Sequence, residues 1–173
     1  MLEISYVSLS TSIGRVWLGS TPRGIFYINL GDVDSGSLRQ QFAGRSDVAI
    51  GEGGAIAQKM AREVGQYFDG KLRKFSVPLD LRGWSPFARK VWRATSRIPF
   101  GQTKTYGWLA DRVGGPNFAR AVGGALSSNP IPLIVPCHRV VGARGELGGF
   151  TGELWIKRWL LDFEAGCQVL PLA

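Results

Sequence analysis

Lys104-Thr105-Tyr106-Gly107-Trp108-Leu109-Ala110-Asp111-Arg112-Val113-Gly114-Gly115-Pro116-Asn117-Phe118-Ala119-Arg120-Ala121-Val122-Gly123-Gly124-Ala125-Leu126-Ser127 decides how the second half of this chain folds. Two short periodic stretches flank a tight break. Leu109, Ala110 and Val113 fall on one face of a first helix over 104–113. Gly114-Gly115-Pro116 reads as a turn, and Asn117 as the cap of a second helix over 118–127. Turn length and glycine content fit a helix-turn-helix. On the second helix Phe118, Ala121, Val122 and Ala125 form an apolar stripe, while Arg120, Gly123, Gly124 and Ser127 lie on another side. Each interior glycine costs a helix about 1 kcal/mol relative to alanine. Two in a row point to close approach, either of a packed neighbouring helix or of something outside the protein.

Upstream, Ser85-Pro86 opens another helix, since serine caps well and proline suits the first helical position. Phe87, Val91, Trp92 and Ile98 supply its apolar face. Residues 71–84, with Lys71, Arg73, Lys74, Pro78, Asp80 and Gly83, read as a linker. Before it, residues 2–9, 13–19 and 24–30 read as a three-stranded meander, and 31–50 as an irregular surface loop. Ile56, Met60, Val64 and Phe68, four apart, predict a helix over 53–69 that stops at Gly70. The expected class is mixed α/β (α+β). A small three-stranded sheet with one helix spans 1–79, and a mainly helical domain spans 80–173.

Downstream, Asn129-Pro130-Ile131-Pro132-Leu133-Ile134-Val135-Pro136-Cys137-His138-Arg139 is an apolar, proline-flanked run ending on a cysteine. The next residue is the only histidine in the chain, and the guanidinium of Arg139 follows as a positive charge beside the thiol. A thiol becomes a nucleophile when a base or positive field stabilises its anion. Adjacency alone does not provide that, because neighbours in a strand point to opposite faces. Residues 142–152 form a glycine-rich loop able to present backbone N–H groups. Thr151 reads as the cap of a last helix over 153–165, with Gly166 as its stop and Trp155, Ile156, Trp159, Leu160 and Phe163 inward. Lys157 and Glu164, seven apart, share a face about 10 Å apart along the axis. They are either two solvated charges or part of a site.

The net charge of +8 is uneven: nine Lys/Arg face seven Asp/Glu over 1–79, and twelve face six over 80–173. A basic second half suggests a polyanion, most often nucleic acid. Cys137 and Cys167 with one histidine are too few for a zinc site, so no metal is expected. No run of about 18 apolar residues predicts a membrane span. The start Met1-Leu2-Glu3-Ile4 does not read as a signal peptide, so an intracellular protein is expected.

These residues together resemble the 6-O-alkylguanine-DNA alkyltransferases, also called methylated-DNA–protein-cysteine methyltransferases. The resemblance is carried by Ile134-Val135-Pro136-Cys137-His138-Arg139-Val140 after Asn129-Pro130. Ile98-Pro99-Phe100-Gly101, Thr105-Tyr106 and Arg120-Ala121-Val122-Gly123-Gly124-Ala125-Leu126 add to it. So do Gly148-Gly149-Phe150-Thr151-Gly152 and the segment Lys157–Glu164. It spans about residues 85–166. It implies a ribonuclease-H-like first domain and a winged-helix-like second one. It also implies single-use transfer of an alkyl group from 6-O-alkylguanine, and from 4-O-alkylthymine, in double-stranded DNA to Cys137. No cofactor is needed, and the protein would act as a monomer in the cytoplasm, on the nucleoid of a prokaryote.

The resemblance also assigns roles. His138 would act as base through a water, oriented by Glu164. Lys157 would favour the thiolate, Tyr106 would protonate the leaving base, and Asn129 would brace the turn before Cys137. Arg120 would replace the flipped base, with Tyr106, Ala119, Gly123, Gly124 and Ser127 along the DNA. Leu126, Pro132, Val140, Gly148, Phe150 and Thr151 would line the pocket. Some members carry Tyr at Phe150, Ser at Thr151, and Arg or Lys at Ser127, so pocket size and one phosphate contact are open. Three other readings stand against this one: a damage sensor of the alkyltransferase-like type, a cysteine–histidine hydrolase and a helix-turn-helix regulator. The sensor type lacks the cysteine, a hydrolase would turn over many times with no need for Arg120 or the paired glycines, and in a regulator Cys137 would be merely buried.

Overall fold

The computed structural model describes residues 2–31 and 46–167. They divide into two compact units, one ending at Asp80 and the other starting at Leu81.

In the first unit, β1 (Leu2–Thr11), β2 (Gly14–Thr21) and β3 (Gly24–Leu30) form an antiparallel meander. The turn into β2 is closed by Thr11, whose hydroxyl donates to Gly14 O at 2.8 Å and accepts from Ile13 N at 3.2 Å. Among the described residues the sheet has four strands, not three. β4 (Val48–Glu52) pairs parallel to β1, giving the order β3-β2-β1-β4. Its five residues include a glycine and an acid on an exposed edge, which leaves little hydrophobic alternation to read. Of the irregular loop expected over 31–50, residues 32–45 lie outside the described residues.

Helix α1 (Ala55–Phe68) packs on β1, β2 and β3 through Ala57, Met60, Val64 and Tyr67. Ile56 and Phe68, expected inward, are half-buried. A series spaced by four drifts about 40° per step around a 3.6-residue helix, so its ends leave the face that its centre occupies.

Residues 75–80, expected within the linker, are fastened to this unit. Ile25 N donates to Pro78 O and Asp80 N to Ile25 O, both at 2.9 Å. Thr21 Oγ1 donates to Asp80 Oδ2 at 2.6 Å. A Cβ on Gly24 would meet Pro78 O and the Leu79 carbonyl carbon at 2.6 Å, so only glycine allows this approach. Buried Glu63 on α1 accepts from Ser76 N at 2.8 Å and from the Ser76 hydroxyl.

The second unit is built on three mutually packed helices: α2 (Pro86–Thr95), α3 (Tyr106–Val113) and α4 (Ala119–Ser127). Ser85 caps α2, accepting from Ala88 N, with Pro86 in its first turn. The first helix of the helix-turn-helix starts at 106 rather than 104. Thr105 is its cap, accepting from Trp108 N at 3.1 Å, and Lys104–Thr105 form β5, parallel to β6 (Val140–Val141). Asn117 does not cap the second helix. It sits in a 3-10 turn, Pro116–Phe118, and α4 starts without a side-chain cap.

The buried face of α4 is Val122, Ala125 and Leu126. Phe118 is 41% exposed and Ala121 is exposed, because the 3-10 turn rotates the helix start away from the expected stripe. Trp92 is buried and donates from Nε1 to Ala125 O at 2.8 Å, tying α2 to α4. The last helix, α5 (Leu154–Glu164), buries Ile156, Lys157, Leu160 and Glu164, while Trp155 is 41% exposed. Its cap is Glu153 rather than Thr151, and the Thr151 hydroxyl donates instead to Asn129 O at 3.0 Å.

Glu63→Ala should destabilise the first unit by about 2 kcal/mol, since Ser76 N then has no buried acceptor. Urea denaturation followed by far-UV circular dichroism checks this, and an unchanged midpoint would contradict the role of the contact.

Candidate active site

Cys137, His138 and Arg139 form a 3-10 turn, not the strand expected for the cysteine. Prolines at 130, 132 and 136 deny backbone donors to a strand ladder, and Leu133 takes φ 72°. The side chain of Asn129 shapes the segment instead. Its Oδ1 accepts from Ile131 N at 3.1 Å, and its Nδ2 donates to Val135 O at 2.9 Å. The same Nδ2 reaches Cys137 Sγ at 3.2 Å, so one amide both closes the loop and donates to the thiol.

Cys137 is 2% exposed. Burial pushes its thiol up from the ordinary value. The Asn129 hydrogen bond, the Lys157 charge and a backbone contact from Thr151 oppose that without cancelling it. The resting sulfur is therefore a protonated thiol at neutral pH, surrounded by groups that favour its anion. Deprotonation needs a base.

Lys157 is fully buried, and Nζ donates to Val140 O at 2.7 Å and Gly149 O at 3.1 Å. Burial lowers its ammonium to about 8, and the nearby Cys137 works against the drop. Tyr106 donates its hydroxyl to the same Gly149 carbonyl at 3.1 Å. Burial and then the charge of Cys137 raise the phenol, so it stays a donor. Gly148 has φ +63°, and a Cβ there would sit 2.7 Å from the Tyr106 oxygen.

Behind the thiol lies a second cluster. His138 is fully buried, and its Nε2 is 2.8 Å from Glu164 Oε1. Arg139 grips the same carboxylate in a fork, Nη2 on Oε1 and Nε on Oε2, both at 2.8 Å. Gly101 N donates to Oε2 at 3.0 Å, and Arg139 Nη1 to Ile98 O at 2.7 Å. Burial alone would raise the Glu164 carboxyl. The hydrogen bonds and charges of His138 and Arg139 outweigh it and hold the group well below the usual carboxylate range. Burial lowers the His138 imidazole, with Glu164 opposing, so the ring is neutral near pH 7. A carboxylate accepts only, so the proton sits on Nε2. Nδ1 is left as a bare lone pair, buried and with no hydrogen-bond partner among the described residues.

Sequence reasoning missed Arg139. It reads there only as a positive charge beside the thiol, whereas the guanidinium turns away to Glu164. A forked donor two residues from the cysteine, with Glu164 as an acid on the last helix to match it, was the available signal.

Leu126, Pro132 and Val140 are buried, and Phe150 and Thr151 are half-buried. Arg120, Gly124 and Ser127 are not part of the buried cluster; they lie exposed on α4, with Ala119 and Gly123 half-exposed. A Cβ added to Gly123 or Gly124 meets no atom within 4 Å. Packing against a neighbouring helix therefore does not explain the glycines. The face and the cluster meet at Gly149, where an added Cβ would touch Ser127 Oγ at 3.3 Å. Among the described residues no group of three or more His, Cys, Asp or Glu could hold a metal, and Cys137 and Cys167 are free thiols.

A buried, internally supported cysteine beside a helix-turn-helix with a bare outer face is the class of site these residues form. Residues 86–166 match the family model described as 6-O-methylguanine DNA methyltransferase, DNA binding domain. A methylated-DNA–protein-cysteine methyltransferase of Methanosarcina acetivorans is 36% identical over 166 residues, covering 94% of this chain and 99% of that protein. One from Mycolicibacterium paratuberculosis is 52% identical over 59% of this chain and 61% of its own length. Mycobacterium tuberculosis OGT, solved in complex with DNA, superposes with a TM-score of 0.79 at 36% identity, covering 94% of this chain and 93% of that one. The chain belongs to the methylated-DNA–protein-cysteine methyltransferase family.

Glu164→Gln should cost about 3 kcal/mol at pH 7, because it breaks a buried charge pair. The folded carboxyl lies below its ordinary 4.5, so the stability that it contributes is present above that value. It disappears on acidification, as the unfolded chain takes up the proton first. Urea titrations from pH 7 to 3 should show the gap between wild type and variant narrowing below about 4.5. A constant gap would contradict the assignment.

Proposed function

We propose that this chain repairs alkylated DNA by direct reversal, moving the alkyl group from 6-O-alkylguanine, and from 4-O-alkylthymine, onto its own Cys137. The observation that carries the reading is the buried thiol held between Asn129 and Lys157, with a neutral, oriented imidazole next to it in sequence. Relatives named for the same chemistry support it.

The steps follow from the groups present. His138 takes the thiol proton at Nδ1 through a water, and Glu164 and Arg139 stabilise the imidazolium that forms. The sulfur attacks the alkyl carbon. The S–C bond forms, the C–O bond breaks, and the electron pair of the broken bond passes to the guanine. Tyr106 donates a proton to a ring nitrogen of the leaving base. Lys157 supplies the positive charge that favours the tyrosinate and the thiolate as each appears. The product is a thioether, which is not readily reversed, so each molecule acts once.

A guanine stacked in a duplex cannot reach a buried sulfur, and flipping it out costs a few kcal/mol. Arg120 is the one long side chain beside the bare glycines on α4 and fills the gap that the base leaves. Gly123 and Gly124 keep the helix slim enough for the narrow minor groove. The degenerate readout of that groove suits damage occurring in any sequence. Leu126, Pro132, Val140, Gly148, Phe150 and Thr151 form the base pocket. The first unit acts as a scaffold. The protein works as a monomer in the cytoplasm, on the nucleoid where the cell is prokaryotic.

Incubation with duplex DNA carrying 6-O-methylguanine should raise the intact mass by one methyl in place of one hydrogen. Peptide mapping should place it on Cys137, with one equivalent per protein. Cys137→Ala should bind the duplex and gain nothing. Unchanged wild-type mass, a methyl group elsewhere, or multiple turnovers would overturn the reading. Binding without transfer would favour the sensor alternative.

A further inference from the structure

Away from the thiol, α2 and α3 flank a surface cavity of about 650 Å³ lined by Arg89, Lys90, Arg93, Arg97, Arg112 and Trp108. No carboxylate lines it, and none of the five cations pairs with one among the described residues. Arg112 stacks on the Trp108 ring, with its guanidinium carbon 3.5 Å from the centroid, and Lys104 Nζ lies 5.5 Å from the same centroid. The indole thus holds Arg112 in place on the cavity wall and draws a further cation close.

Like charges three or four apart on a helix repel, as Arg89 with Arg93 and Lys90 with Arg93 do. The helix dipole accounts for cations near the end of α2, such as Arg93. It works against Arg89 and Lys90, which stand close to the positive end after Pro86. Helix stability therefore does not explain this row. Arg89 and Arg93 are separated by about 6 Å along the axis. A series of separated cations matches a chain of regularly spaced anions better than a single small anion, which one or two of them would satisfy. Both α2 and α3 pack directly on α4. The cavity therefore belongs to the same three-helix unit as the helix that carries Arg120.

We propose that this groove binds the phosphate backbone of double-stranded DNA, a second electrostatic contact besides the face of α4. The proposal rests on the DNA-repair reading of the Cys137 site. It assigns α2, which that reading leaves as support, a share of non-specific affinity. The groove takes no part in alkyl transfer itself, because none of its residues belongs to the Cys137 cluster.

The test is the salt dependence of binding to an undamaged, fluorescently labelled duplex, followed by anisotropy. Removal of one cation from a phosphate should lower the slope of log affinity against log salt by about 0.9. Arg89→Gln with Arg93→Gln and Arg97→Gln should lower it by about two to three, and Arg93→Gln alone by about one. The rate at which Cys137 takes the methyl group from free 6-O-methylguanine base should stay within about twofold, showing that the unit is folded. A control removes three exposed charges from the first unit, Arg23→Gln with Arg62→Gln and Lys74→Gln, and should leave the slope unchanged. An unchanged slope in the groove variants, an equal drop in the control, or no wild-type binding to DNA would overturn the proposal. Failure of the repair reading shows separately, as wild-type protein that binds DNA but never carries the methyl group.

Discussion

Glu164 keeps a full negative charge at 7% exposure, a position that costs several kcal/mol unless the charge is answered. Three donors answer it: His138 Nε2, the fork of Arg139 and the amide of Gly101. Each comes from a different stretch of chain from the carboxylate itself. The carboxylate therefore fixes where the last helix lies against the 3-10 turn and the segment around Gly101. It also sets the tautomer of the imidazole. With the Nε2 proton committed to Glu164, the unprotonated nitrogen is Nδ1, buried and without a hydrogen-bond partner among the described residues.

The thiol is held by different means. Asn129 directs both amide hydrogens to the loop that it closes, one to Val135 O and one to Sγ, so the sulfur is positioned by the same group that shapes the backbone. Lys157 is tied to two carbonyls, and burial lowers it to about 8 while the nearby Cys137 opposes the drop. Gly149 receives both Lys157 and Tyr106 and lies against Ser127 at the end of α4. At that one residue the outer face of the helix-turn-helix meets the buried cluster.

Much of this was legible in the chain. The caps at Ser85 and the stop at Gly166, the turn at 114–116 and the three antiparallel strands follow from short-range rules that the backbone obeys locally. The fourth strand escaped because five residues with a glycine, on a solvent-facing edge, carry almost no periodic signal. The stripe on α1 was displaced by helical drift, and the one on α4 by a 3-10 turn that counting in steps of four cannot register. The site divides in the same way. Cys137, His138, Lys157 and Glu164 stand out as residue types, but their burial does not. Two charges seven apart on a helix look solvated until a partner from another segment covers them. Arg139 was read as a field on the sulfur because its partner lies twenty-five residues away in sequence. The glycines gained most from the structure: the open space beside Gly123 and Gly124 removes the packing explanation that the sequence left standing.

The central claim is that Glu164 holds a neutral imidazole with its proton on Nε2. The chain has a single histidine, so its ring nitrogens give unambiguous signals. Two-dimensional ¹⁵N–¹H NMR of protein labelled at histidine, at pH 7, should show Nε2 protonated and Nδ1 in the range of an unprotonated nitrogen. The pattern should persist as the pH falls through 6.5, the ordinary value that burial lowers here. An Nδ1–H tautomer, or an imidazolium already formed at pH 7, would contradict the account.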